Sequence, residues 1–166
     1  MHGGQILITM GALVLLTLVV LNVNKSLNAN DEYLNQTRFG LEAVSLGTSI
    51  IEQASQLPFD EVSWDSTKIE KKVSDFTNPN SLGKDFGETT MASFDDFDDF
   101  NAFTRAETTA QNIYNLKCLV EYVNAGTPNV KSVNRTYCKK LTIAISTPYS
   151  PDTLKMGYVH GYWYFN

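Results

Sequence analysis

The sequence predicts an α+β protein: one long N-terminal helix, apolar in its first half, packed on a small C-terminal antiparallel β-sheet. Three observations predict it. From Ile6 to Leu21 the chain reads ILITMGALVLLTLVVL without a charge, and no proline follows until Pro58. Beyond residue 110, three runs rich in β-branched and aromatic residues are separated by turn-forming stretches. At 166 residues the chain is long enough for one ordinary domain with a real core.

The first element is a helix from Gln5 to Leu57, ended by Pro58. At about 1.5 Å per residue it would be about 80 Å long. Its apolar part, residues 6–21, is at the short end of what crosses a hydrocarbon core of about 30 Å. A cleaved secretory signal is the rival reading, but MHGG carries no Lys or Arg and no small-x-small site follows Leu21, so the segment is retained. Leu27, Leu34, Leu41 and Thr48 then fall seven apart, with Val44 and Ile51 as a second row, and this stripe is expected to dock the globular part. Asn22, Asn24, Asn28 and Asn30 crowd the stretch Asn22–Asp31, where the helix is expected to fray, because Asn competes for backbone hydrogen bonds.

Residues 58–166 form the globular part. Residues 58–92 turn to Asp, Ser, Asn, Gly and Pro and read mostly as loop. Strands are expected over Ile113–Val123, Tyr137–Thr147 and Tyr158–Phe165. Tyr114, Leu116, Cys118, Val120 and Tyr122 share one face of the first, and Leu141, Ile143 and Ile145 one face of the second. If Cys118 and Cys138 face each other, the hairpin turn centres on Pro128 within Gly126–Asn129, and a disulfide staples the pair. That register sets Leu116 against Lys140, which calls for a bulge, and the rival reading is two separate buried thiols. A bridged pair downstream of a membrane segment implies an oxidising compartment. Asn24, Asn35 and Asn134 sit in Asn-x-Ser/Thr sequons and are glycosylation candidates.

Composition excludes several functions. With 13 basic against 18 acidic residues the net charge is −5, a poor match to nucleic acid. Two His and two Cys leave little for a His/Cys metal site. His2 lies at the N-terminus and His160 in an aromatic strand, where packing is its expected role. No nucleophile elbow, phosphate loop or His-Glu-x-x-His helix occurs, and a bridged Cys118 is no nucleophile, so the chain reads as a non-enzyme. One run stands out: Phe94-Asp95-Asp96-Phe97-Asp98-Asp99-Phe100-Asn101. Asp95, Asp96, Asp98, Asp99 and Asn101 could supply oxygen ligands to Ca²⁺. The alternative is a surface segment whose Phe side chains anchor it while the acids stay in water. Four clustered carboxylates repel, and solvent, a cation or subunit contacts through Lys139 and Lys140 would relieve them.

An apolar N-terminal helix after glycine, the Asp-Asp-x-Asp-Asp-Phe-Asn run at Asp95–Asn101 and a cysteine-bearing C-terminal sheet together resemble the type IV pilins and the related pseudopilins of type II secretion. The helical part of the likeness covers about a third of the chain. The resemblance implies a short leader, residues 1–4, removed by a prepilin peptidase, with Gly3, Gly4 and Gln5 as the cleavage candidates, and N-methylation of the new terminus. It implies a subunit held in the inner membrane, then passed by the pilus assembly machinery into an extracellular helical filament of identical subunits. Ile6, Leu7, Ile8, Leu13, Val14, Leu15, Leu16, Leu18, Val19, Val20 and Leu21 would form the filament core. The sequence departs from the family in three places. The leader lacks Lys and Arg, and the helix lacks a proline in the Asn22–Asp31 region. The fifth mature residue would be Thr9 after cleavage at Gly4, or Ile8 after Gly3, where the family has glutamate; with Met1 as the start, Gln5 holds that slot. The alternatives are a minor pseudopilin and a monomeric, signal-anchored extracytoplasmic binding domain. No cofactor besides Ca²⁺ is implied.

Overall fold

The computed structural model describes residues 3–63, 71–110 and 112–162. The chain divides into two units, Met1–Leu41 and Glu42–Asn166. Helix α1 spans Gly3–Ser55. It begins with the two glycines and stops three residues before Pro58, whose ring disfavours helical geometry in the residue before it. The helix is unbroken through Asn22–Asp31, contrary to the expected fraying. Each Asn is a mediocre helix former, at about 0.7 kcal/mol below Ala, and four of them do not open a helix that propagates from both sides.

The strands of the second unit are β1 (Thr104–Thr108), β2 (Ile113–Asn124), β3 (Thr127–Lys131), β4 (Cys138–Thr147) and β5 (Ser150–Gly161). They pair antiparallel in the order β1-β2-β4-β5, with β3 also on β2. Period-2 alternation in β2 and β4 is realised: Tyr114, Leu116, Cys118, Val120 and Tyr122 are buried, as are Leu141, Ile143 and Ile145. The third predicted strand shifts toward the N-terminus as β5, and Trp163, Tyr164 and Phe165 lie outside the described residues. Two strands have no counterpart in the prediction. β1 (TRAET) has no apolar alternation because it is an exposed edge, and β3 (TPNVK) carries Pro128, a residue confined to edges or strand starts.

Pro128 therefore lies within β3, and the tight turn spans Asn124–Thr127. Strand β4 then returns along β2 with Leu116 opposite Ile145, Cys118 opposite Ile143 and Tyr122 opposite Lys139. This register mates apolar with apolar and overturns the predicted disulfide. Cys138 is beside Lys139, level with the far end of β2, so about 17 Å of strand separates it from the level of Cys118. A bridge needs Cα atoms within about 7 Å. Both cysteines are free thiols, and burial raises the Cys118 pKa to about 12.

The last turns of α1 cover the sheet, but through a different face from the predicted stripe. Ala43, Gly47, Ile50 and Ala54 are buried, with Leu46 and Ile51 at the margin. Leu27, Leu34 and Leu41 stay more than half exposed, and Val44 is 44% exposed. Close approach selects small residues: a Cβ on Gly47 would sit 3.0 Å from Ile145 Cδ1 and against Met156 Sδ. Glu42 fixes the rotation of these turns, its Oε2 accepting from Tyr114 Oη at 2.9 Å and Thr109 Oγ1 at 3.1 Å.

Candidate functional site

Two features have functional chemistry: the apolar half of α1 and a buried polar centre beneath the acidic run. In the first unit, every predicted core residue from Ile6 to Leu21 is exposed by half or more, from Val20 at 50% to Leu7 at 75%. Mean hydropathy reaches 2.6 over an 18-residue window, with none of it buried, so this helix is long and apolar enough to cross a membrane. Hydrocarbon so exposed gains on leaving water by about 25 cal/mol per Å². Gly3, Gly4 and Gln5 are helical and exposed, whereas Met1 and His2 lie outside the described residues.

In the second unit, the acidic run folds as a 3₁₀ turn, Phe97–Phe100. Three residues per turn place Phe94, Phe97, Phe100 and Phe103 on the core side, all buried. Phe94 meets Phe100 edge-on at 5.1 Å and Phe103 at 5.5 Å. The acids do not all stay in water: Asp96, Asp98 and Asp99 are buried and only Asp95 is exposed. Each has a separate task. Asp96 Oδ1 accepts from the Asp98 and Asp99 amides at 2.8 and 3.3 Å, while Asp99 Oδ2 accepts from those of Asp96 and Asp95 at 3.1 and 2.9 Å. This reciprocal capping satisfies the first amides of the turn. Asn101 donates to the Leu82 carbonyl at 2.8 Å and accepts from the Val120 amide at 3.0 Å, tying the segment to β2. Four of the five predicted oxygen donors thus spend an oxygen on partners within the chain. Among the described residues, Asp95 and Asp99 do approach Glu88, one carboxylate oxygen from each lying within 4.8 Å of the others. The Asp99 pKa is raised to about 7, by burial first, with its two backbone hydrogen bonds opposing.

Asp98 turns inward to Lys139, which is fully buried on β4. Lys139 Nζ donates to Asp98 Oδ1, to Asp60 Oδ2 at 2.8 Å and to the Phe59 carbonyl at 2.7 Å. The Phe59 and Tyr122 rings lie 4.6 and 5.5 Å from the same nitrogen. Asp60 Oδ2 also accepts from the Thr77 amide at 2.9 Å, and Asp60 Oδ1 is buried without a hydrogen-bond partner among the described residues. Burial raises the Asp98 pKa against the opposing pull of Lys139; it raises that of Asp96 to about 9, with Asp98 adding repulsion. His160 stacks on Phe97 with ring centres 4.7 Å apart, and burial, then Lys139, lowers its pKa to about 4. Of the acids in the run, Asp98 is therefore paired within the chain by Lys139, and Lys140 instead donates to Asn129 Oδ1 at 2.8 Å.

Sequence reasoning missed Asp60 and placed Lys139 at a subunit contact. The signal for Lys139 was in the strand pattern, since positions 139, 141, 143 and 145 share the buried face. Asn24, Asn35 and Asn134 are all exposed. A recess of about 440 Å³ over β1 and β2 is lined by Thr104, Arg105, Ala106, Asn115, Leu116, Lys117 and Ser146, with no carboxylate or imidazole among them. No family model, curated protein or solved structure matches the chain.

Proposed function

We propose that the chain is a structural subunit of an extracellular, type IV pilus-like filament, polymerising through its N-terminal helix. The observation that supports this most is the apolar surface of Ile6–Leu21, exposed on every side of the helix. Lipid would cover it first and neighbouring copies of the same helix afterwards, so the apolar surface need never meet water. Leu27, Leu34 and Leu41 extend the argument, because they are more than half exposed and a neighbouring subunit could bury them. Such contacts join different patches of successive subunits, as an open helical polymer requires. In this reading the subunit passes from the inner membrane to the cell surface after leader removal at Gly3 or Gly4. A minor pseudopilin is the second reading, favoured by the neutral Thr9 or Ile8 where a glutamate would recruit the next subunit.

Leu15→Lys tests the proposal. Leu15 is 65% exposed, so the second unit should keep its melting temperature within the range of surface substitutions, about ±0.5 kcal/mol. A lysine at the centre of an apolar span costs about 3 kcal/mol relative to leucine. Sheared surface fractions should then lose the chain, while wild type is recovered there as high-molecular-weight filaments with a processed terminus. Wild-type chain that stays monomeric in the membrane fraction would replace the filament with an anchored domain.

A further inference from the structure

Lys139 and its two carboxylate partners form a buried cluster. Their side chains are at most 3% exposed, enclosed by Phe59 and Tyr122. One amine, one carboxyl in contact with it and a second carboxylate holding the same amine are the components of an amide condensation. The roles of the acids differ. Asp60 is held in place by the Thr77 amide, and its Oδ1 has no partner among the described residues. Asp98 touches the amine through Oδ1, while among the described residues its Oδ2 has only a long 3.4 Å contact from the Gly83 amide and is the oxygen freest to leave. The Asp96 carboxylate is already engaged by two backbone amides.

We propose that Lys139 and Asp98 condense into an intramolecular amide cross-link, with Asp60 carrying the protons. Asp60 takes one proton from the Lys139 ammonium and passes it to the Asp98 carboxylate, leaving a neutral amine against a neutral acid. The Nζ lone pair adds to Asp98 Cγ, forming the N–C bond. A second nitrogen proton travels through Asp60 to the Asp98 hydroxyl, the C–O bond breaks and water leaves. The third proton stays on the amide nitrogen, and Asp60 ends as it began, a carboxylate. No oxidant or external reagent is needed. Two effects drive the step. Fixed contact replaces a bimolecular encounter, worth effective molarities of about 10⁵ M or more. Condensation also removes two buried charges whose desolvation their pairing offsets incompletely. The product covalently joins the 3₁₀ segment to β4, 41 positions along the chain.

Peptide mapping of the denatured full-length chain tests this. The expected result is one linked species containing Asp98 and Lys139, lighter than the two separate peptides by one water, about 18 Da. Separate, unmodified peptides, or a water lost at other residues, would overturn the proposal without any variant having to fold. Asp60→Asn, with native folding checked by near-ultraviolet circular dichroism, should slow the appearance of the linked species in freshly made protein by about 100-fold. An undiminished rate in that folded variant would remove Asp60 from the reaction.

Discussion

Replacing Lys139 by methionine removes a buried cation while keeping most of its stem in the core. The three acceptors of Nζ, which are the Phe59 carbonyl, Asp60 Oδ2 and Asp98 Oδ1, lose their donor together. Among the described residues Asp60 keeps only the Thr77 amide on that oxygen, and Asp98 keeps only the long Gly83 contact. Removing one partner of a buried ion pair costs about 3–5 kcal/mol, because the other charge is stranded out of water. Methionine fills the volume, so the added cavity penalty is small. At about 4 °C per kcal/mol for a domain of this size, the second unit should melt about 12–20 °C lower at pH 7. Near-ultraviolet circular dichroism of the detergent-solubilised chain would follow the aromatic core. The stranded Asp98 also sets a sign for pH. Its folded pKa, already raised above the unfolded 3.8, rises further without Lys139, so the stability it contributes is fully present below pH 3.8 and is lost as pH rises through the folded value. The deficit should therefore be largest near neutrality and close on acidification. Adding Asp98→Leu should recover part of it. A melting temperature within about 3 °C of wild type at pH 7 would refute the electrostatic reasoning.

Gly47→Val should destabilise the second unit by about 1–3 kcal/mol, since its Cβ would meet Ile145 and Met156, whereas Leu34→Ala should leave the monomer unchanged; thermal melts compare the two. His160→Phe should remove an acid sensitivity. With the folded pKa lowered from 6.5 to about 4, wild type loses up to about 3 kcal/mol as pH falls from 6.5 to 4 and the variant does not, as denaturant midpoints across that range would show. The two thiols should each take one alkylating group after denaturation without reductant, with Cys118 the slower in the native state because it is buried with a raised pKa. One-step blockage of both by oxidation would restore the disulfide.

The α+β class and the main sheet faces were legible in the sequence, because period-2 alternation in residues 113–123 and 137–147 has one interpretation when a face must be buried. The edge strands were not, since Thr104–Thr108 and Thr127–Lys131 bury almost nothing and are held by backbone pairing to β2. The heptad stripe Leu27–Leu34–Leu41 was visible, but the helical turns that cover the sheet use other positions. Helix–sheet contact depends on how closely the backbones approach, and Gly47, Ala43 and Ala54 permit that approach where leucines would not.

By itself the sequence determined that this protein carries an uncharged apolar helix at its N-terminus, because hydrophobicity and the absence of proline are local properties that no later contact can change. It also offered, as one of two readings, that Phe94, Phe97 and Phe100 anchor the acidic run, and all three are buried. Only the tertiary structure decided the cysteines, because a register five positions different from the one they suggested aligns every apolar pair between β2 and β4. Only the tertiary structure decided the acids as well. Lys139 reaches Asp98 and Asp60 across 41 and 79 positions of chain, and whether a charge is solvated or paired depends on what the folded chain brings around it.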